Sequence, residues 1–170
     1  MGKFQLRKVL WKDGDLLYHW RNEPSTRNAF FHSEEISIVE HKKWLQRKLD
    51  DLSSEMYILE VHGLPVGQAR LDREGNEAYI SYSVSSSFRR RGYGKLLLQM
   101  IEQEVRQDSL VLVGKVKKDN IPSRSIFRSL GYEEKERDEC FEYRKRAGES
   151  SDGNAGSAET FSHCRAFGQP

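Results

Sequence analysis

The segment from Glu77 to Arg106 constrains the fold more than any other. Glu77–Val84 alternates apolar and polar residues, as a half-buried strand does. It runs through Ser85-Ser86-Ser87-Phe88-Arg89-Arg90-Arg91 into Gly92-Tyr93-Gly94-Lys95. There the period changes from two to the helical value of about 3.6. Leu96, Leu97, Met100, Ile101 and Val105 form one apolar stripe, which predicts a helix from Gly92 to about Arg106. Leu110–Val116 is then an apolar strand suited to the centre of a sheet. Two strands joined by one helix are expected to be parallel neighbours.

The flanking segments fit the same plan. Phe4–Val9 alternates as an edge strand, and Asp13 is placed to cap a helix burying Leu16, Leu17 and Trp20, interrupted at Pro24. Ser37 and Glu40 form a capping box for a helix to about Leu49. Met56–Val61, Val66–Asp72 and Glu77–Val84 read as a meander turning at His62-Gly63-Leu64-Pro65 and Glu74-Gly75-Asn76. Ile121–Leu130 reads as a helix ended by Gly131, and Tyr132–Glu136 and Glu139–Lys145 as closing strands. The expected fold is α/β: one domain over residues 1–146, with a mixed central sheet of about seven strands and helices on both faces. Residues 147–170 are rich in Gly, Ser, Ala and acids and read as a flexible low-complexity tail.

Composition removes several classes of function. No apolar run approaches the roughly 18 residues of a membrane span, and the N-terminus lacks a signal-peptide core. A net charge of +2 does not imply nucleic-acid binding. Two cysteines are too few for a disulfide framework, so a reducing cytoplasm is expected, and no metal site is read from the chain.

The turn from Arg89 to Lys95 has the chemistry of a phosphate site. The first amides of a helix lack intrahelical acceptors and carry the positive end of the helix dipole. Glycines let that backbone approach a pyrophosphate, and Arg89, Arg90, Arg91 and Lys95 add charge-assisted bonds. A solvated basic loop would have the same composition. The spacing fits neither a Walker loop nor the three-glycine dinucleotide fingerprint.

Two motifs together resemble the GNAT superfamily of N-acetyltransferases over roughly residues 3–145. Arg89, Gly92 and Gly94 fill the family's Arg/Gln-x-x-Gly-x-Gly/Ala turn. Asn120, Ser123, Phe127, Gly131 and Tyr132 follow its Asn-x-x-Ser/Ala-x-x-x-Tyr/Phe-x-x-x-Gly-Phe/Tyr segment. The resemblance implies acetyl-CoA as co-substrate. Its pyrophosphate would lie on the turn from Arg89 through Tyr93 to Lys95, and its pantetheine arm beside Tyr82, Ser83 and Val84. Asn120, Ser123 and Phe127 would line the arm. A backbone N–H near Tyr82 or Ser83 would face the thioester oxygen. Asn120 could equally be a helix cap.

Phe127 stands where many relatives carry a tyrosine that serves as acid, so Ser123 becomes the candidate acid. Candidate bases are Glu77, His32 and His41, with a water relay as the alternative. Glu77, Tyr79, Ser81 and Ser83 share one strand face unless a bulge intervenes.

The acceptor side falls in residues 11–50. Trp20, Arg21, Asn22, His32 and His41 are its candidate residues, although Trp20 and Trp44 also suit core positions. Trp20-Arg21-Asn22, Ile36-Ser37 and Glu40-His41-x-x-Trp44-Leu45 resemble a subgroup acting on UDP-linked amino sugars in surface-glycan pathways. The second reading is a protein N-terminal acetyltransferase of the ribosomal type. One such group has a glutamate where this chain has Lys115. A non-catalytic acyl-CoA-binding module is kept open by Phe127, and the oligomeric state is open between monomer and homodimer.

Overall fold

The computed structural model describes residues 3–149. Its strands are β1 (Phe4–Lys8), β2 (Ser54–Val61), β3 (Leu64–Glu74), β4 (Glu77–Val84), β5 (Val111–Lys117), β6 (Glu133–Glu136) and β7 (Cys140–Arg146). Its helices are α1 (Gly14–Asn22), α2 (Pro24–Ala29), α3 (Ile38–Asp50), α4 (Tyr93–Glu104) and α5 (Ile121–Ser129). The strands form one mixed sheet in the order β1-β2-β3-β4-β5-β7-β6. Among the described strands only β4 and β5 pair in parallel, joined by α4. No described helix is long and apolar enough to cross a membrane.

Both faces of the sheet are covered. Against α4 and α5 pack Leu59, Val66, Ala69, Leu71, Ala78 and Leu112, together with Leu97, Leu98, Ile101 and Phe127. The expected stripe on α4 omitted Leu98, which is 0% exposed, and included Leu96 and Met100, which are half-buried. Each fully buried aliphatic side chain of this kind contributes about 1.5–3 kcal/mol. On the opposite face, Leu17 and Trp20 of α1 and Leu45 of α3 pack on Met56 and Ile58 of β2.

Helix caps explain most boundaries. Ser37 accepts the Glu40 amide at 3.2 Å, and Glu40 returns to the Ser37 amide at 3.0 Å, as the sequence predicts. Asp13 corrects an expectation. Its carboxylate accepts the Leu10 amide at 2.8 Å and both terminal nitrogens of Arg7 at 2.8 and 2.9 Å. It makes no cap bond to α1, which begins at Gly14. The Arg7 fork tethers β1 to the start of α1, and bidentate pairing makes such a tether strong.

Ala147 donates its amide to the Leu110 carbonyl at 2.9 Å, so the chain stays on the sheet just past β7. Residues 150–170, the bulk of the expected tail, lie outside the described residues.

Candidate active site

The helices differ at their starts. Ser37 caps α3, and Asn120 caps α5 by accepting the Ser123 amide at 3.3 Å. At the start of α4 stands Gly92, with φ of 80° and no side-chain cap bond. The first backbone bond of α4 runs from Leu96 to Gly92 at 3.1 Å. The amides before Leu96 therefore lack an acceptor within the helix. A Cβ added at Gly92 meets nothing within 4 Å, so the backbone is open at that point. Arg90 also takes a positive φ of 61°, a conformation uncommon for a residue with a side chain. An uncapped, exposed helix start with Arg90, Arg91 and Lys95 around it fits a pyrophosphate.

Beyond the turn the sheet opens. The ladder between β4 and β5 ends at Ile80 and Gly114. From there β4 follows β3 to Val84, while β5 follows β7 to Lys117. Tyr82, Ser83 and Val84 thus border a gap. Across it, the Tyr82 hydroxyl lies 2.9 Å from Ser123 Oγ. Burial pushes the Tyr82 phenol up to about 12, partly offset by its bond to Ser123, so it is protonated at neutral pH. The Phe127 ring lies beside this pair, 6.0 Å from the Tyr82 ring and edge-on to it.

The gap connects two sides of the sheet. One cavity, about 820 Å³ including its open mouth, is lined by Tyr82, Asn120, Ser123 and Phe127 on the α5 side. On the other side its walls are Phe30, His32, Arg70, Asp72, Tyr79 and Lys115. A phosphate-ready turn, an opened parallel strand pair and a through-sheet cavity describe a site that brings two molecules together from opposite faces. A family model described as "Acetyltransferase (GNAT) family" matches residues 15–132.

The chain belongs to the GNAT acetyltransferase family.

No curated protein matches this acetyltransferase by sequence. Solved structures match its fold. One is RimL, a ribosomal alpha-N-protein acetyltransferase in complex with coenzyme A, at 18% identity and a TM-score of 0.76, covering 88% of this chain and 96% of the other. Another is a ribosomal-protein-alanine N-acetyltransferase from Brucella melitensis, at 21% identity and 0.71, covering 84% and 99%. A third is the spermidine N-acetyltransferase from Vibrio cholerae with coenzyme A and spermine, at 12% and 0.76, covering 85% and 95%.

Several expected site residues hold other partners. The Arg89 guanidinium donates to the Val84 carbonyl at 2.9 Å, to Ser25 Oγ at 2.6 Å and to Thr26 Oγ1 at 2.7 Å. It fastens α2 to the turn, which leaves Arg90, Arg91 and Lys95 as the exposed charges there. Glu77, one of the candidate bases, has its carboxylate engaged by two donors. It sits at the paired end of β4, lines neither large cavity, accepts the Tyr79 hydroxyl at 2.6 Å and pairs with Arg144. Burial would raise its pKa, but these two donors hold it below the usual range, which makes it a weaker base. No bulge intervenes in β4 where it pairs with β3, so Glu77, Tyr79, Ser81 and Ser83 share one face; the β2–β3 pairing shifts register at Leu59/Glu60.

His41 is 1% exposed, and burial followed by the field of Arg21 lowers its pKa to about 4. An imidazole so hard to protonate is a poor base. It lines an inner cavity with Trp20 and Arg21. His32 is exposed at the mouth of the larger cavity. Asn22 lines neither; its side chain donates to the Ile36 carbonyl at 2.9 Å and accepts the Ile36 amide at 3.1 Å. It closes the loop between α2 and α3.

Sequence reasoning passed over Gln68, Arg70 and Asp72. Arg70 stands opposite Ser81 in the register, so Gln68, Arg70 and Asp72 share the face of Tyr79, Ser81 and Ser83. The alternation was readable, but polar positions on a strand normally face solvent. Here α1 and α3 roof them, and Arg70 is only 4% exposed.

Proposed function

We propose that this acetyltransferase moves the acetyl group of acetyl-CoA to the primary amine of a nucleotide-linked amino sugar, by direct attack in a ternary complex. The supporting observation is the cavity at the opened strand pair: it reaches Tyr82, Asn120 and Ser123 on one side, and on the other it is walled by aromatic and cationic side chains together with Asp72. Rings can stack on a base or sugar, and cations can take a diphosphate.

Coenzyme A, when bound, presents the acetyl group as a thioester whose sulfur is a good leaving group. The α4 amides and Arg90, Arg91 and Lys95 hold the pyrophosphate. The edge of β4 at Tyr82, Ser83 and Val84 aligns the arm, and an amide there takes the charge developing on the carbonyl oxygen. Asn120 fixes the start of α5 and so places Ser123. Ser123 donates a hydrogen bond to the departing sulfur while the Tyr82 hydroxyl orients it. With Glu77 ion-paired and His41 buried, the amine proton leaves through water at the mouth beside His32.

Ser123→Ala is expected to lower kcat about 100-fold with little change in KM for acetyl-CoA, within the usual worth of general-acid help. Tyr82→Phe should cost about tenfold, since it keeps the ring and loses only one hydroxyl. Steady-state kinetics with a competent amine checks both. Full kcat in Ser123→Ala would make Ser123 a cap residue only.

The acceptor is tested by thiol release with UDP-amino sugars, N-terminal peptides and polyamines. Turnover of a UDP-amino sugar at the highest kcat/KM is expected. Preference for N-terminal peptides would move the enzyme to the ribosomal-type reading, for which the likeness to RimL is the relevant observation.

A further inference from the structure

Helix α2 is held from both of the strands that part at the gap. The β4–β5 ladder ends at Ile80 and Gly114, and the last residues of the two strands are Val84 and Lys117. From the β5 side, Lys117 Nζ donates to the Asn28 carbonyl at 3.0 Å. From the β4 side, the turn after Val84 holds the other end of α2. The Glu23 carboxylate accepts the Ser86 amide at 3.0 Å, and Arg89 donates to Ser25 and Thr26. Thr26 in turn donates to Glu23 Oε2 at 3.2 Å, so Arg89, Thr26, Glu23 and Ser86 form one continuous chain of hydrogen bonds.

This clasp meets the cofactor turn and the acceptor wall at once. Arg89 belongs to the turn that leads into α4, and its Nε also donates to the Val84 carbonyl at the end of β4. Directly after Asn28 come Ala29, Phe30, Phe31 and His32, which line the large cavity. The far end of that wall is held by Arg21, which donates to the His32 carbonyl at 2.9 Å. Both terminal nitrogens of Arg89 donate to α2, whereas a forked phosphate contact would use them on the ligand. Global stability is not the main product of these ties. The Arg89 and Glu23 side chains are 34% and 23% exposed, and partly exposed polar pairs add little to the free energy of folding. Their effect is local: they fix where a six-residue helix sits, and with it the wall that follows.

We propose that Arg89 is a positioning residue for the acceptor rather than a phosphate ligand. With Glu23 and Lys117 it clasps α2 across the parted strands, and α2 sets the wall from Ala29 to His32 against which the acceptor lies. This role rests on the reading above, in which the acceptor occupies this mouth of the cavity. Arg89 acts through α2 and not on the reacting atoms. Loss of the clasp is therefore felt as weaker acceptor binding, while acetyl-CoA keeps the α4 amides, Arg90, Arg91 and Lys95.

The test uses the full chain and begins without an acceptor. Amide hydrogen exchange over residues 24–32 is expected to quicken about tenfold in Arg89→Ala, because local opening follows the loss of the ties. Acetyl-CoA affinity by calorimetry is expected to stay within about twofold at low and at high salt, since the loss of a phosphate ligand would depend on salt. Thermal melts report that the variants are folded. Kinetics then use the amine of highest kcat/KM among UDP-amino sugars, N-terminal peptides and polyamines. The acceptor KM is expected to rise about tenfold in Arg89→Ala, with KM for acetyl-CoA unchanged. Arg89→Lys keeps a donor toward α2 and should recover part of the loss. Thr26→Val removes one tie at nearly constant shape, and Arg89→Ala should add less in that background than in the unsubstituted chain. Unchanged exchange over residues 24–32 or an unchanged acceptor KM in Arg89→Ala overturns the clasp. A fall of about tenfold in acetyl-CoA affinity that shrinks in salt also overturns it and returns Arg89 to the pyrophosphate. If none of these amines is acetylated, the acceptor reading fails, while quickened exchange with unchanged acetyl-CoA affinity still upholds the clasp.

Discussion

Replacing Gly92 by aspartate is expected to abolish acetyl-CoA binding while the domain stays folded. Gly92 is the uncapped start of α4, at φ of 80°, with nothing within 4 Å of an added Cβ. An aspartate there has room, and Asp and Asn tolerate the left-handed region better than other residues. A carboxylate at a helix start even gains about 0.3–1 kcal/mol from the dipole, close to the strain of leaving glycine. The same carboxylate would occupy the place of the pyrophosphate and repel it. Like charges at close range cost several kcal/mol, so affinity should fall about 100-fold or more. Gly92→Asn has nearly the same shape without the charge and should fall much less. Calorimetry with both variants checks this, and thermal melts confirm the fold. Equal affinities for the Asp and Asn variants would remove the turn from the cofactor site.

Gly114→Ala is expected to damage stability and activity together. The new Cβ would sit 2.4 Å from Phe127 Cζ, and 2.7 and 3.0 Å from its Cε atoms. The ring cannot retreat, since it is 1% exposed, stacks on Tyr143 at 4.9 Å and meets Tyr132 edge-on at 4.9 Å. Overpacking of this kind costs about 1–3 kcal/mol or more, so the melting temperature should fall by about 5 °C or more. The strain falls on α5, which carries Ser123 and Asn120, so kcat should fall as well. Gly114→Ala combined with Phe127→Leu should regain much of the stability by freeing the space. An unchanged melting temperature for Gly114→Ala would contradict the packing. The same geometry bears on Phe127→Tyr. The ring's far carbon points at Gly114, so a hydroxyl there meets the β5 backbone before it reaches the gap. The hydroxyls at the gap are those of Tyr82 and Ser123.

Local signals explain what was legible. The bounds of β4 are those read from alternation alone, because its two faces meet different environments along its whole length. The capping box of α3 and the Asn120 cap of α5 were legible because each is a contact over three residues. Asp13 was misassigned because its partner, Arg7, belongs to another element. Glu77 looked available for the same reason: Arg144 is 67 residues away in the chain.

The amino-acid sequence by itself determined the order of strands and helices, the parallel crossover through α4 and the glycine turn that marks the family. These depend on periodicity, caps and backbone freedom within a few residues. Only the tertiary structure decided which charges are spent and which face a cavity. Arg89 is consumed by Ser25 and Thr26, whereas Arg70, unnoticed in the sequence, lines two cavities and shares Asp72 with Lys48. A charged side chain reads the same in sequence whether solvated, paired or waiting for a ligand. Its state is set by what burial brings beside it, and that is a property of distant segments meeting in space.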